Sequence, residues 1–185
     1  MSSEISKSRL LNTNEGFSGV KAFTFYPYTK NIVLTANDYF EGTGLTGSVY
    51  RYEVNNDSSV YDVDGEISKN TGTAVYKASI NIVLPIMDAT TSNEVKLLAY
   101  RRPHIFIEKY DGTLILAGAK HGCSLEKVKI STGAKHGDLS GFTLQFIAEE
   151  RHPLAFVGVT GSAAYNAALV AASATTYDPT ITPTI

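Results

Sequence analysis

The residues of this sequence that could do chemistry are few: four histidines, one cysteine and scattered carboxylates. The pentapeptide Gly118-Ala119-Lys120-His121-Gly122 recurs as Gly133-Ala134-Lys135-His136-Gly137. Two histidines in matching turns are candidates for metal ligation or proton transfer, because a neutral imidazole binds metals and titrates near neutrality. Spacing fixes no acidic residue beside them, and Cys123 adjoins only the first copy. With a strand over 123–130, the two copies fall toward its opposite ends. The motif therefore reads as a pair of glycine-flanked turns carrying basic side chains. Cys123 has no sequence-local base and there is no Gly-x-Ser-x-Gly elbow, so nucleophilic catalysis has no signature. A single cysteine also excludes an internal disulfide and any multi-cysteine metal site.

Three further strings carry chemistry elsewhere. Gly42-x-Gly44-x-x-Gly47 matches the dinucleotide fingerprint, which works only between a buried strand and a helix N-terminus. Here it leads into Ser-Val-Tyr-Arg-Tyr-Glu-Val, a strand pattern, so it reads as a turn. Asp62-x-Asp64-Gly65-Glu66 clusters carboxylates as calcium loops do but lacks the rest of the twelve-residue loop. A hairpin turn at Asp64-Gly65 is the expectation. Glu149 and Glu150 with Asp138 could form an acid pair, and read more simply as an exposed cluster at a strand end. The expectation is a protein that is not an enzyme, with no catalytic residue, no metal and no cofactor.

The elements that would position these residues are mostly strands. Thr73–Leu84 alternates cleanly, with Ala74, Tyr76, Ala78, Ile80, Ile82 and Leu84 on one face and Thr73, Lys77, Ser79 and Asn81 on the other. Gly141–Ala148 repeats the pattern. Val20–Tyr28, Ser48–Val54, His104–Tyr110, Thr113–Ala117, Ser124–Ile130 and Leu154–Val159 complete the set. Asp111-Gly112 signals a hairpin. Leu125 and Val128 fall on opposite phases, which predicts a bulge. One short helix is predicted near 92–102, N-capped by Thr91 with Glu94 closing a capping box. Val95, Leu98 and Tyr100 form its buried stripe, Arg101 and Arg102 lie at its C-terminal end, and Pro103 stops it.

With 185 residues and 43% hydrophobic content, the chain suits one domain with a real core. No apolar run is long enough for a membrane-spanning helix, and the start lacks an apolar leader, so neither a membrane nor export is expected. Residues 1–19 read as an N-terminal arm and 20–159 as a single β-sandwich or barrel domain with a long loop at 36–72. Residues 160–185 form an Ala/Thr-rich tail with 7 Ala and 6 Thr. Tyr39, Phe40, Tyr50, Tyr52 and Tyr61 in the loop, with Tyr165 and Tyr177 in the tail, are the candidate inter-subunit contacts. Charge is polarised: residues 1–95 carry 7 Lys/Arg and 11 Asp/Glu, whereas 96–151 carry 9 and 6. Such a dipole suits head-to-tail meeting of identical subunits. It is too diffuse for sequence-specific nucleic-acid binding.

Residues 93–157 carry a familiar pattern. A helix ending in arginine leads into a strand, then the hairpin Asp111-Gly112-Thr-Leu-Ile-Leu-Ala-Gly118, then Gly122-Cys-Ser-Leu-Glu. Gly137-Asp-Leu-Ser-Gly-Phe-Thr-Leu-Gln-Phe-Ile-Ala-Glu-Glu150 follows. This resembles structural proteins of tailed bacteriophages, especially those infecting Bacteroidetes. The resemblance implies a tail-tube or head-to-tail ring protein: a β-sandwich with one helix, a long hairpin loop, and arms reaching neighbouring subunits. It implies a homo-oligomer, most simply a hexameric ring, contacting adjacent virion proteins in the virion and passing DNA through its lumen without specific binding. The Thr/Ser/Asn face of 73–81 is a candidate lumen lining. The Ala/Thr-rich tail lies outside the pattern. Three alternatives stand beside this one: a capsid decoration or baseplate protein, a carbohydrate- or ligand-binding β-sandwich using the loop tyrosines as a platform, and a small enzyme using His121, His136 and Cys123.

Overall fold

The computed structural model describes residues 18–30, 32–35, 39–40, 49–54, 58–68, 72–135 and 138–157. Most of the predicted arm and tail, with Tyr165 and Tyr177, lies outside them. Among these described residues ten strands and one helix follow in order: β1 (Val20–Tyr26), β2 (Tyr39–Phe40), β3 (Tyr50–Glu53), β4 (Val60–Ser68), β5 (Thr73–Pro85), α1 (Ala89–Ala99), β6 (His104–Lys109), β7 (Leu114–Ala117), β8 (Ser124–Ser131), β9 (Gly141–Glu150) and β10 (Ala155–Val157). They make two sheets, ordered β2-β10-β7-β6-β1-β3 and β4-β5-β9-β8. Every pairing is antiparallel except the two-residue β2–β10 contact. The chain is thus mainly β with one short helix, arranged as a sandwich of two sheets.

The two sheets differ in how they are covered. β5 and β9 turn Ile80, Ile82, Leu84, Leu144 and Phe146 inward against Phe23, Phe25, Ile105 and Ile107 of the larger sheet. The rings of Phe25 and Phe146 meet across this layer at 5.6 Å. Each such side chain, fully buried, contributes about 1.5–3 kcal/mol. A second apolar cluster covers the far face of the larger sheet, where Tyr26, Phe106 and Leu116 pack beneath Ile32, Leu34 and Phe40. That is why β1 and β6 are apolar on both phases, whereas β5 and β9 alternate. The four-stranded sheet has one face in the core and one in solvent.

Three local expectations are corrected. The helix spans Ala89–Ala99, not 92–102, and its N-cap is Asp88. The Asp88 carboxylate accepts from the Thr91 backbone N–H at 3.0 Å. Asp88 and Thr91 both suit a cap, and the charged acceptor three residues earlier wins a full extra turn. Hydrogen bonding to Thr91 in turn holds the Asp88 carboxyl below the usual carboxylate range. Tyr100 is the C-cap and is 84% exposed rather than buried, and Arg101 and Arg102 follow the helix. Second, Asp64-Gly65 is no turn but the middle of β4, where Gly65 pairs with Tyr76. A Cβ on Gly65 would come within 3.0 Å of the Tyr76 ring, so the glycine makes room for an aromatic across the ladder. Third, the predicted loop 36–72 contains not only the strand expected at 48–54, observed as β3, but also β2 and the nine-residue β4.

Other expectations hold. Lys109 and Thr113 frame the Asp111-Gly112 turn, with Gly112 at φ 81°. The register of β8 shifts between Leu125 and Lys127, which is the predicted bulge.

The β5–α1 junction stores strain. Ile86 has φ 75°, a left-handed backbone that a β-branched residue adopts at a cost of about 1–2 kcal/mol. It is 65% exposed, so little packing offsets that cost. Its N–H donates to the Ser140 carbonyl at 2.9 Å, which ties the turn to the start of β9. Asparagine tolerates this conformation. Ile86→Asn is therefore expected to raise stability by about 1 kcal/mol, read as a higher urea midpoint at unchanged slope.

Candidate assembly surface

The histidine motif is built as a turn. Gly118 and Gly122 have φ 69° and 71°, and a Cβ on Gly118 would lie 2.6 Å from the Gly122 carbonyl carbon and 2.7 Å from the Cys123 sulfur. Between them, the Lys120 and His121 backbone N–H groups both donate to Glu150 Oε1, at 2.8 and 3.1 Å. Glu150 thus serves as a carboxylate cap for the turn. Glu150→Ala is expected to cost about 1 kcal/mol, since the bonds are solvent-exposed, and to speed hydrogen exchange at the Lys120 and His121 amides. His121 itself is exposed, in a groove of about 670 Å3 whose walls mix Lys77, Arg102 and Arg151 with Glu126 and Glu149. His136 lies outside the described residues. Cys123 is fully buried, and burial pushes its thiol well above the ordinary range. That removes Cys123 as a ready nucleophile for the small-enzyme alternative. Among the described residues no group of three or more His, Cys, Asp or Glu could hold a metal ion. No described helix is long and apolar enough to cross a membrane.

One histidine that the sequence did not single out is buried. His104 is fully enclosed at the start of β6, stacked on Tyr28 with ring centroids 5.1 Å apart. Its Nδ1 lies 2.6 Å from the Gly118 carbonyl and its Nε2 accepts from the Thr29 N–H at 3.0 Å. A carbonyl can only accept, so Nδ1 carries the proton of the neutral ring. Burial holds the pKa of His104 below 6.5, against opposing hydrogen bonds and the charge of Glu150.

The aromatic contact residues separate. Phe40 is 1% exposed and packs on Phe106, so its ring belongs to the second core cluster. Tyr52 is half-buried and meets Phe25 edge-on at 5.2 Å, and burial pushes its hydroxyl up to about 12. Tyr61 packs against the main core, with its hydroxyl likewise raised by burial. Phe40 thus spends its ring inside its own chain, whereas Tyr52 and Tyr61 divide theirs between the core and solvent. Tyr39 pairs through its backbone with Phe156 in β10. Tyr50 is 44% exposed on edge strand β3 and keeps area for a partner.

A surface the sequence did not reveal lies along the four-stranded sheet. Its terminal strands, β4 and β8, are nine and eight residues long, each about 27–31 Å. Among the described residues nothing pairs with their outer sides. Register places Asp62, Asp64 and Glu66 of β4 on the solvent face, opposite Ser79, Lys77 and Val75. At the far edge Lys127 and Lys129 of β8 share that face, opposite Gln145 and Thr143. All five charged residues are exposed. The sheet therefore runs from an acidic edge, across Ser79, Asn81, Thr143 and Gln145, to a basic edge. A signal was present in the alternation Tyr61-Asp62-Val63-Asp64, interrupted only by Gly65. Exposed apolar residues flank each edge, with Val60 and Ile67 on β4 and Val128 and Ile130 on β8.

No family model matches the chain, and neither a curated protein nor a solved structure does.

Proposed function

We propose that this protein is a non-enzymatic structural protein of a tailed-phage virion, whose copies join into rings or a tube in the tail or head-to-tail connector. The observation that carries the reading is the pair of open, oppositely charged edges on the four-stranded sheet. Like edges repel, so β4–β4 and β8–β8 pairings are disfavoured, while β4 of one copy attracts β8 of the next. A heterologous contact of this kind propagates head to tail and closes into a ring when the rotation permits. Strand addition would satisfy the backbone groups an isolated edge leaves to water. Lysine on an edge also blunts indiscriminate pairing, and here the acidic counterpart would convert that defence into a choice of partner.

The solvent face of the same sheet suits a lumen. Its outward-phase residues Asp62, Asp64, Glu66 and Glu149 stand against Lys77, Lys127 and Lys129, and the groove on the same face adds Glu126, Arg102 and Arg151. A nearly neutral wall of mixed charge would let duplex DNA pass without strongly capturing its phosphates. The resemblance over residues 93–157 supplies the phage setting, the sixfold expectation and the neighbouring virion proteins. Negative-stain electron microscopy of the purified protein across a concentration series tests the reading. Rings or tubes with a central opening support it. A monomer at every concentration overturns it.

A further inference from the structure

We propose that β8 of one copy and β4 of the next join antiparallel in one register, with Lys129 opposite Asp62 and Lys127 opposite Asp64; this rests on the edge-to-edge assembly proposed above. Direction follows from the sheet. Its four strands are antiparallel throughout, so β4 and β8, at its two ends, run in opposite senses. A rotation about an axis lying roughly along the strands preserves those senses, and so sets β8 antiparallel to the β4 that meets it.

Register follows from a stagger. Val60, Asn81, Gln145 and Lys127 share one rung across the sheet. From that rung β4 runs on to Ser68 toward one end of the sheet, and β8 runs on to Ser131 toward the other. Copies meeting rung for rung would overlap only near Val60 and Lys127, so the neighbour must slide along the strands to use both edges. The slide is an even number of residues, because an odd one turns the charged face of one strand inward. A slide of about four residues over four strands tilts them by about 35°, which is the tilt of a closed sheet. On the solvent face both lysines then meet aspartates. On the core-facing phase Ile130 and Val128, 55% and 38% exposed, meet the partly buried Tyr61 and Val63 of the next copy. Aromatic and β-branched side chains paired in this way stabilise a ladder. A shorter slide sets Lys129 against Val60. A longer one pairs Leu125 with Ile67 but lays Val128 on Gly65, which has no side chain, and carries Tyr61 past the end of β8.

Cysteine cross-linking tests the register. The native Cys123 is fully buried, so introduced thiols report alone. Residues directly opposite in an antiparallel pair have Cα atoms about 4.5–5.5 Å apart, within disulfide reach, whereas diagonal ones lie about 7–8 Å apart. Within one chain β4 and β8 are separated by β5 and β9, about 14 Å, so any bond formed links two copies. A chain carrying Asp62→Cys and Lys129→Cys is expected to form covalent ladders on mild oxidation, read on a non-reducing gel. One carrying Asp64→Cys and Lys129→Cys is expected to form none. Ladders from the second chain, or none from the first while sedimentation shows it assembled, overturn the register and leave the assembly standing. Hydrogen exchange of the unmutated protein gives an independent measurement where a variant fails to assemble. Assembly is expected to slow exchange at 60–66 and to leave 67–68 unchanged, and slowing at 67–68 instead overturns the register. A native protein that stays monomeric overturns the assembly and the register with it.

Discussion

A variant carrying Asp62→Lys and Glu66→Lys is expected to lose self-association, and so is one carrying Lys127→Glu and Lys129→Glu. In the first, both edges of the four-stranded sheet become basic, and in the second both become acidic. Asp62 and Glu66 are the acids to change because they face Ser79 and Val75, whereas a lysine at 64 would oppose Lys77 within the chain. Lys127 and Lys129 face Gln145 and Thr143, so their reversal adds no repulsion directly across the ladder. Exposed charge pairs contribute about 0.2–1 kcal/mol each. Turning two attractions into two repulsions shifts each contact by about 1–3 kcal/mol, or roughly five- to 150-fold in affinity. An equimolar mixture of the two variants is expected to assemble again, because every basic edge then finds an acidic one. Sedimentation velocity of each variant and of the mixture checks this, with thermal melts to establish that each folds. Assembly that survives either reversal, or that the mixture fails to restore, would exclude β4–β8 pairing. Rising salt is expected to weaken the proposed β4–β8 contact as well, since the charges are at the surface.

His104→Ala is expected to cost about 3–5 kcal/mol, the largest stability loss among these variants. The change leaves a cavity beneath Tyr28 and takes a buried donor from the Gly118 carbonyl and an acceptor from the Thr29 N–H. The same residue gives stability a pH dependence. Its folded pKa is held below 6.5 by burial, so below that value the unfolded chain binds more protons than the folded one. The contribution is complete above about pH 6.5 and is lost progressively as pH falls toward the lower folded pKa. Protonating Nε2 sets an N–H against the Thr29 N–H, although the Thr29 carbonyl at 3.1 Å can take part of that proton's bonding. His104→Asn, whose amide can still reach Gly118, removes the titration. The stability gap between the native protein and this variant should narrow between pH 7.5 and pH 5, measured by urea unfolding. A constant gap would show that His104 binds protons equally in both states.

Most of the strands were legible because one-sided burial writes a period of two into the chain. Ala78, Ile80 and Ile82 against Lys77, Ser79 and Asn81 define β5, and Phe142, Leu144 and Phe146 define β9. Asp111-Gly112 marks its hairpin for an equally local reason. Misreadings arose where two local signals competed. Asp64-Gly65 has turn chemistry but sits mid-strand, because the ladder to β5 and the Tyr76 ring outweigh a dipeptide preference. Asp88 and Thr91 both suit a helix start, and only geometry chose between them. The candidate site was less legible. Phe40 looks like contact area when counted as an aromatic in a polar segment, but this chain's own second core cluster claims it, while Tyr52 and Tyr61 are only partly taken up by the main core.

By itself, then, the order of residues determined the class of fold, the positions of most strands, the turn nature of Gly118–Gly122 and the lopsided distribution of charge. These depend on neighbours within a few positions, where side-chain period and backbone preference act directly. Only the tertiary structure decided that β4 and β8 bound the same sheet from opposite sides, that their acids and lysines share one face, and that His104 rather than His121 is enclosed. Those facts depend on which distant segments pair. Strand order is set by the summed burial of the whole chain, a quantity no short stretch of sequence contains.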